Sequence, residues 1–573
     1  MMDLYDNEIE RARALHKKGL INEAVEIYRG ILGERPNHPE AHHLYGVALL
    51  QSEKPLQAEN ELRLALAEKQ DDPNYFCNLA NVVLMLGRDE DALDNFTSAL
   101  AIEATHLPSL SGKGNVLLKM GQFVEAEKIF DEILKLEPDN IQSLNQLGII
   151  YAQTGRPQMA IELFRQCTEN SDASAQIFAN LANVLESLNN IEESEIALKR
   201  SLELDPTLLA ARSIRCRLLR RNGKFEEAKK ELQLILQHEV PNHERAGIIF
   251  QLGQVLDRLE DSPAAFDAFS SANILLSKSP EFIQTDPKCY LNRVKANREW
   301  YNAERISRLS LSRENSDVSL VFFVGFPRSG TTLMDQILNA HPSIVATNEN
   351  SPLRNVRRLL KEHSTDIKKL PYLLDELAQI DLEEIRDSYW EEANRCFTLS
   401  PGTVLVDKIP FYISELGCAN ILFPDAKIIV ALRDPRDVCL SCFMQNFGAS
   451  DATANFLDFK TTVQSYKKVM ELWLYYRDIL SVPYLEYRYE DLISNFPGTV
   501  SNILEFLELD WSKEIEGYRK NAQDRYIGTP SYADVTSKIY TRASGRWLRY
   551  QEILKSDVTG LAQLISQFGY SIK

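Results

Sequence analysis

The stretch VFFVGFPRSGTT, residues 321–332, decides how the C-terminal half of this chain folds. Val321 to Gly325 is an unbroken apolar run ending in glycine, which predicts a buried strand. LMDQILNA, which follows, spaces its apolar residues as a helix with one buried face. The turn between them is of the phosphate-cradling kind. Gly325 and Gly330 are expected to take positive φ and to turn backbone N–H groups inward. A helix beginning near Thr331 aims its unpaired N–H groups and positive dipole end at the same point. Thr331 stands where the nucleotide-binding loop G-x-x-x-x-G-K-[ST] carries its lysine. That lysine reaches the β/γ-phosphates, so its loss argues against a kinase or ATPase. The fixed cation is instead Arg328, whose planar fork suits a pair of phosphate or sulfate oxygens.

Further along, TVLVDKIPFY at 403–412 and AKIIVAL at 426–432 predict two more buried strands, with a helical pattern around ISELGCANILF between them. Apolar strands alternating with helices make a parallel sheet covered on both faces. Such a sheet binds ligands beyond the carboxyl ends of its strands, and Arg433 stands at one.

PRSGTTL at 327–333 resembles the 5′-phosphosulfate-binding loop of sulfotransferases, which move a sulfuryl group from 3′-phosphoadenosine-5′-phosphosulfate (PAPS) to an acceptor. RDPRDVCLS at 433–441 resembles the segment in which that family holds the 3′-phosphate with an arginine and, eight residues on, a serine. Donor-binding residues implied here are Arg328, Ser329, Gly330, Thr331 and Thr332 in the loop, with Arg433 and Ser441 beyond it. YRYEDL at 487–492 resembles the family's Y-E-x-L segment and adds Tyr489. The tail TPSYADVTSKIYTRASGRW resembles the closing loop of bacterial sulfotransferases, and adds Ser531, Lys538 and Tyr540 as nucleotide contacts. Arg546 and Trp547 are read as nucleotide contacts or as structural residues. The resemblance spans residues 318 to 555.

Transfer needs a base for the acceptor's proton and cations for the leaving phosphate. Small-molecule sulfotransferases carry a catalytic histidine just after the second strand, where this chain has Lys408, Ile409 and Pro410. The arrangement is more similar to tyrosylprotein and glycan sulfotransferases, which draw a carboxylate from the segment after the first helix. That segment reads ATNENSP, with Asn348 and Glu349 where the related pattern has two glutamates. The base is expected to be Glu349, with Asp407 as the alternative. Lys408 is expected beside Arg328, on the bridging oxygen or the transferred sulfuryl group. No Asp or Glu cluster of Mg²⁺ spacing accompanies the loop, so no metal is expected.

The N-terminal half is a repeat. Ala24, Ala58, Ala92, Ala126, Ala160 and Ala228 fall on a 34-residue grid, with Ser194 in the one missing place. Twelve residues earlier run Ala12, Gly46, Ala80, Gly114, Gly148, Ala182 and Cys216. Small residues at both positions let paired helices approach closely, while Tyr28, Phe96, Phe130 and Phe164 fill the neighbouring gaps. Glycines at 19, 87, 121, 155 and 223 mark the turns. This is similar to the tetratricopeptide repeat, with seven copies from residue 5 to 242 and an eighth, after a three-residue slip, containing Gly253 and Ala265. Such solenoids commonly hold an extended peptide in a concave groove, so a protein or peptide acceptor there is the expected partner. Asn78, Asn81, Asn115, Asn145, Asn180 and Asn183 recur on first helices, either to clamp a peptide backbone or as a solvated polar face. His42 and His43 lack metal-ligand company and are expected at the surface.

The expected organisation is an all-α solenoid over 1–279, a capping helix and linker over 280–315, and an α/β sulfotransferase domain over 316–573, with the polar stretch Ser312 to Asp317 at the boundary. Across 573 residues the net charge is -18, which argues against nucleic acid or an anionic membrane as the main partner. No apolar run reaches the roughly 18 residues of a membrane span. The start of the chain lacks a basic region followed by an apolar core, and the eight cysteines are scattered, so a cytoplasmic location is expected. Cys439 and Cys442 form a C-x-x-C without a second pair, and read as helix-packing residues. The expected function is PAPS-dependent sulfation of a protein or peptide tyrosine recruited by the repeats. Sulfation of a glycan or small metabolite, or a non-catalytic scaffold, are the alternatives.

Overall fold

A computed structural model describes residues 4–312, 316–362, 371–518 and 543–572. The chain divides into two compact units, Met1–Leu185 with Ile196–Asp205, and Glu186–Glu195 with Pro206–Lys573.

The first unit is built of antiparallel helix pairs, beginning with Leu4–Lys17 and Ile21–Glu34. The two small-residue grids do what their spacing requires. A Cβ added to Gly114 would lie 2.7 Å from the Phe130 ring, and one on Gly148 would lie 2.6 Å from Phe164, each sixteen residues on. Those rings are buried, as are Tyr28 and Phe96, and each contributes on the order of 1.5–3 kcal/mol of apolar burial. The turns need a left-handed residue: Gly19, Gly87, Gly121 and Gly155 supply it, and Glu53 takes the same place at φ 57°.

His42 and His43 are buried rather than superficial, because their helix, Pro39–Gln51, is covered on two sides. His42 sits 2.7 Å from both Glu61 Oε2 and the Pro36 carbonyl. His43 accepts from Asn78 Nδ2 at 2.7 Å and stacks on Tyr75, and burial pushes its pKa down to about 4. Some of the recurring amides bond from repeat to repeat. Asn180 Nδ2 donates to Asn145 Oδ1 at 2.9 Å, and Gln146 Nε2 to Asn115 Oδ1 at 2.8 Å.

The second unit contains the last helix pairs, Leu209–Arg221 with Phe225–Leu236 and Asn242–Arg258 with Ser262–Leu276, followed by a five-stranded parallel sheet. Its strands are β1 (Ser319–Gly325), β2 (Ile344–Ala346), β3 (Val404–Lys408), β4 (Lys427–Leu432) and β5 (Tyr484–Arg488), in the order β2-β3-β1-β4-β5. Successive residues of β1 serve opposite faces. Val321 and Phe323 pack with Met334, Ile337 and Leu504, whereas Phe322 and Val324 pack in a core with Tyr389, Phe423 and Trp473. The segment 280–315, read as cap and linker, contributes Tyr290, Val294, Trp300 and Ile306 to that second core, alongside Ala265 and Phe269 of the eighth pair. β3 ends at Lys408, short of the predicted 412, and Pro410–Glu415 forms a 3₁₀ turn, since proline cannot donate to a strand ladder. Among the described residues, no helix is long and apolar enough to cross a membrane.

Candidate active site

β1 lies centrally, with β3 on one side and β4 on the other, so the chain winds outward from it in both directions. The crevice at such a reversal lies beyond the carboxyl ends of these three strands. The loop after β1 leads into the helix Thr331–Leu338 as predicted, but its glycines divide the work differently. Gly330 has φ 91° and Arg328, unexpectedly, φ 70°, while Gly325 is not among the positive-φ residues. Gly325 serves close approach instead: a Cβ there would lie 2.9 Å from the Ala431 carbonyl of β4. Holding a non-glycine residue left-handed costs of order 1–3 kcal/mol, which the surroundings of Arg328 must offset.

Those surroundings are the residues singled out in the sequence. Arg328 Nε donates to Ser441 Oγ at 3.0 Å. Arg433, buried at the end of β4, donates from Nη1 to the Arg328 carbonyl at 2.9 Å and from Nη2 to the Ala543 carbonyl. Its guanidinium lies 5.0 Å from the centre of the Tyr489 ring. Tyr489 in turn covers the loop so closely that a Cβ on Gly330 would come within 2.5 Å of its Cδ2. Arg433 has no carboxylate within ion-pair distance among the described residues, and its buried Nε has no partner there. A buried guanidinium that bonds two carbonyl oxygens, with the Asp437 carboxylate near enough to feel its charge and an Nε unpartnered among the described residues, fits an anionic ligand. The Ser329 N–H is spent on the Phe326 carbonyl at 3.2 Å, which leaves the helix-start N–H groups from Gly330 to Thr332 as the donors of the cradle. Ser329, Thr331 and Thr332 are all buried around that turn.

Lys408 closes β3 with its side chain fully buried, and its Nζ lies 2.6 Å from Glu349 Oε1. Glu349 is carried on a strained turn, with φ 48° at Asn348 and 72° at Glu349, and its side chain is 37% exposed. Asp407 points to the other face of the strand and is spent on three hydroxyls. Ser351 Oγ and Tyr389 OH donate to Oδ2 at 2.8 and 3.0 Å, and Thr347 Oγ1 donates to Oδ1 at 3.3 Å. Burial pushes the Asp407 pKa up to about 6, with those hydroxyls working against the rise. Asp407 thus pins Thr347 and Ser351, the two ends of the turn that carries Glu349.

Ser531, Lys538 and Tyr540 lie outside the described residues. Arg546 and Trp547 take structural partners. Arg546 pairs with Asp257 at 2.8 Å, and the Trp547 N–H donates to Asp437 Oδ1 at 2.8 Å, with the Arg436 guanidinium 3.7 Å over its ring. Asp257 and Asp437 escaped the sequence reading, since a carboxylate on a helix looks solvated until its partners, more than a hundred residues away, are known. Cys439 and Cys442 are buried on the helix Pro435–Phe443, and Cys442 Sγ lies 3.3 Å from the Pro327 carbonyl.

Residues 321–513 match the sulfotransferase family, and residues 15–77, 106–173 and 175–208 match tetratricopeptide repeats. The chain therefore carries tetratricopeptide repeats followed by a sulfotransferase domain. That domain is distantly related to protein-tyrosine sulfotransferases. Protein-tyrosine sulfotransferase 2 of Gallus gallus is 23% identical over 45% of this chain and 71% of its own length. Protein-tyrosine sulfotransferase 1 of Homo sapiens is 32% identical over 21% of this chain and 33% of its own. An uncharacterized protein of Aquifex aeolicus is 25% identical over 69% of this chain, which spans about half (51%) of that relative's length. Among solved structures, a tetratricopeptide repeat protein from Parabacteroides merdae is 15% identical, with a TM-score of 0.38, over 44% of this chain and 98% of that one.

Proposed function

We propose that this chain transfers the sulfuryl group of PAPS to a hydroxyl acceptor, and that the acceptor is a protein or peptide tyrosine recruited through the repeats. The observation that carries the reading is the placement of three cationic residues, Arg328, Lys408 and Arg433, at the carboxyl ends of three adjacent parallel strands, with one carboxylate, Glu349, on Lys408.

In this reading Arg433 and Ser441 hold the 3′-phosphate. Arg328 and the N–H groups at the start of the helix Thr331–Leu338 hold the 5′-phosphosulfate. Glu349 accepts the proton of the acceptor hydroxyl as its oxygen bonds to sulfur. The bond from sulfur to the bridging oxygen breaks, and that oxygen stays with the 5′-phosphate of the departing nucleotide. Lys408 and Arg328 stabilise the charge that builds there, the differential stabilisation that accelerates such a step. Lys408 lies 2.6 Å from Glu349, so base and cation are placed together before substrate arrives. The acceptor class draws its support from the relatives' names and from the repeats, whose family commonly binds polypeptide.

Calorimetric titration with 3′-phosphoadenosine-5′-phosphate (PAP) and with ATP tests the donor: tight PAP binding is expected, and preference for ATP overturns the reading. Incubation with labelled PAPS and a cell lysate tests the acceptor. Label is expected in tyrosine of protein; label confined to polysaccharide or small molecules removes the acceptor assignment and leaves the donor assignment standing.

A further inference from the structure

The eighth helix pair is joined to the two residues assigned to the 3′-phosphate by two separate paths. On its first helix, Asn242–Arg258, the buried Asp257 gathers one short segment of the C-terminal region. Oδ1 accepts from Tyr550 OH at 2.7 Å, from Arg549 Nη2 at 3.0 Å and from Arg546 Nε at 3.2 Å, and Oδ2 pairs with Arg546 Nη2 at 2.8 Å. The Asp257 carbonyl takes a further bond from Arg549 Nη1 at 2.8 Å. That segment is a 3₁₀ turn, Arg546–Tyr550; at its start the Gly545 and Trp547 N–H groups are held by Asp437, on the helix that bears Ser441, and the Ala543 carbonyl ahead of it is an acceptor for Arg433. The second path runs through Asn273 on the second helix, Ser262–Leu276. It is buried and donates to the Phe443 carbonyl at 3.0 Å, at the end of the Ser441 helix, while the Phe266 ring packs tilted by 30° against Phe443 with ring centres 4.9 Å apart.

We infer that Asp257 is a positioning residue for donor recognition: through the segment Ala543–Tyr550 it sets the carbonyl and the helix against which Arg433 is oriented, so the last repeat is a supporting wall of the 3′-phosphate site. A guanidinium reads a phosphate through fixed directions, and a donor displaced by a fraction of an ångström loses the bond. The carboxylate of Asp257 gathers Arg546, Arg549 and Tyr550, three residues within one turn, so its loss frees that segment as a whole. The inference rests on the donor assignment above and adds the repeat array to it.

The test compares Asp257→Asn, Asp257→Glu and Tyr550→Phe with the unaltered full-length chain, by calorimetric affinity for PAP and for AMP, which lacks the 3′-phosphate. Asp257→Asn is expected to weaken PAP by about tenfold, the loss of roughly one charge-assisted hydrogen bond, and AMP by less than about twofold. Asp257→Glu restores part of the difference, and Tyr550→Phe moves the PAP to AMP ratio the same way by about threefold. An unchanged ratio in folded Asp257→Asn overturns the inference. Should that variant fail to fold, an unchanged ratio in Tyr550→Phe does so. An unaltered chain that does not prefer PAP to AMP strikes the donor assignment instead, so the two failures are distinguishable.

Discussion

Arg328 Nε donates to Ser441 Oγ at 3.0 Å, and so ties the loop after β1 to the helix after β4 across 113 residues of chain. The bond fixes the guanidinium at its Nε edge, and it helps hold Arg328 at φ 70°. Arg328→Ala is expected to abolish turnover while the protein stays folded, because alanine bears the same left-handed strain as arginine at this position and the change removes only side-chain bonds. Ser441→Ala is expected to weaken PAP by about three- to tenfold, the range of one net hydrogen bond. The double variant should bind PAP little worse than Arg328→Ala alone, since residues sharing one bond are coupled. Normal turnover in Arg328→Ala removes the loop from the mechanism.

Glu349 and Lys408 make an ion pair that is half open to solvent, with Lys408 buried and Glu349 37% exposed. A general base contributes about 10²–10⁴ in rate, so Glu349→Gln should lower single-turnover sulfation within that range with PAP affinity unchanged. Asp407→Asn should lower it much less, because that carboxylate faces three hydroxyls and not the strand ends. The reverse ranking would make Asp407 the base.

Asp407 also leaves a mark on stability. Its folded pKa, about 6, lies above the ordinary aspartate value of 3.8, because burial disfavours the charged form. Between those values the folded state binds more protons than the unfolded one, so this contribution to stability is full below pH ~4, falls as pH rises, and is lost above pH ~6. The shift corresponds to ~3 kcal/mol for a fully buried group. Melting of the parent and of Asp407→Asn followed from pH 4 to 7 should show the parent losing stability relative to the variant with rising pH. A constant difference would mean that Asp407 keeps an ordinary pKa.

The repeat grid, the strand-turn-helix at 321–338 and the clustering of Arg328, Arg433, Ser441 and Tyr489 were legible because each rests on local pattern or on strand ends that a parallel sheet must bring together. The Asp257 hub was not, since its partners lie at Arg546, Arg549 and Tyr550 and no periodicity links a repeat helix to a C-terminal turn. Gly325 was misread for a related reason: sequence announces that a glycine is needed, whereas only the neighbouring strand shows that it makes room for the Ala431 carbonyl. His42 and His43 were misplaced because two adjacent polar residues on a helix look solvated until both flanking helices are in place.

The two small-residue grids of the repeats make a sharper claim, that the pairing of residues sixteen apart is steric. A Cβ on Gly148 would stand 2.6 Å from Phe164, a ring that is itself 1% exposed and without room to turn. Gly148→Ala should therefore destabilise the array by about 1–3 kcal/mol, although alanine is the better helix former by roughly 1 kcal/mol. Replacing the ring as well, in Gly148→Ala with Phe164→Leu, relieves the overlap and should recover part of the loss, whereas Phe164→Leu alone should destabilise by opening a void. Thermal melting of the four full-length proteins reads the cycle. A Gly148→Ala variant that melts above the parent would show that helix propensity governs this position and that the grid is not a packing constraint.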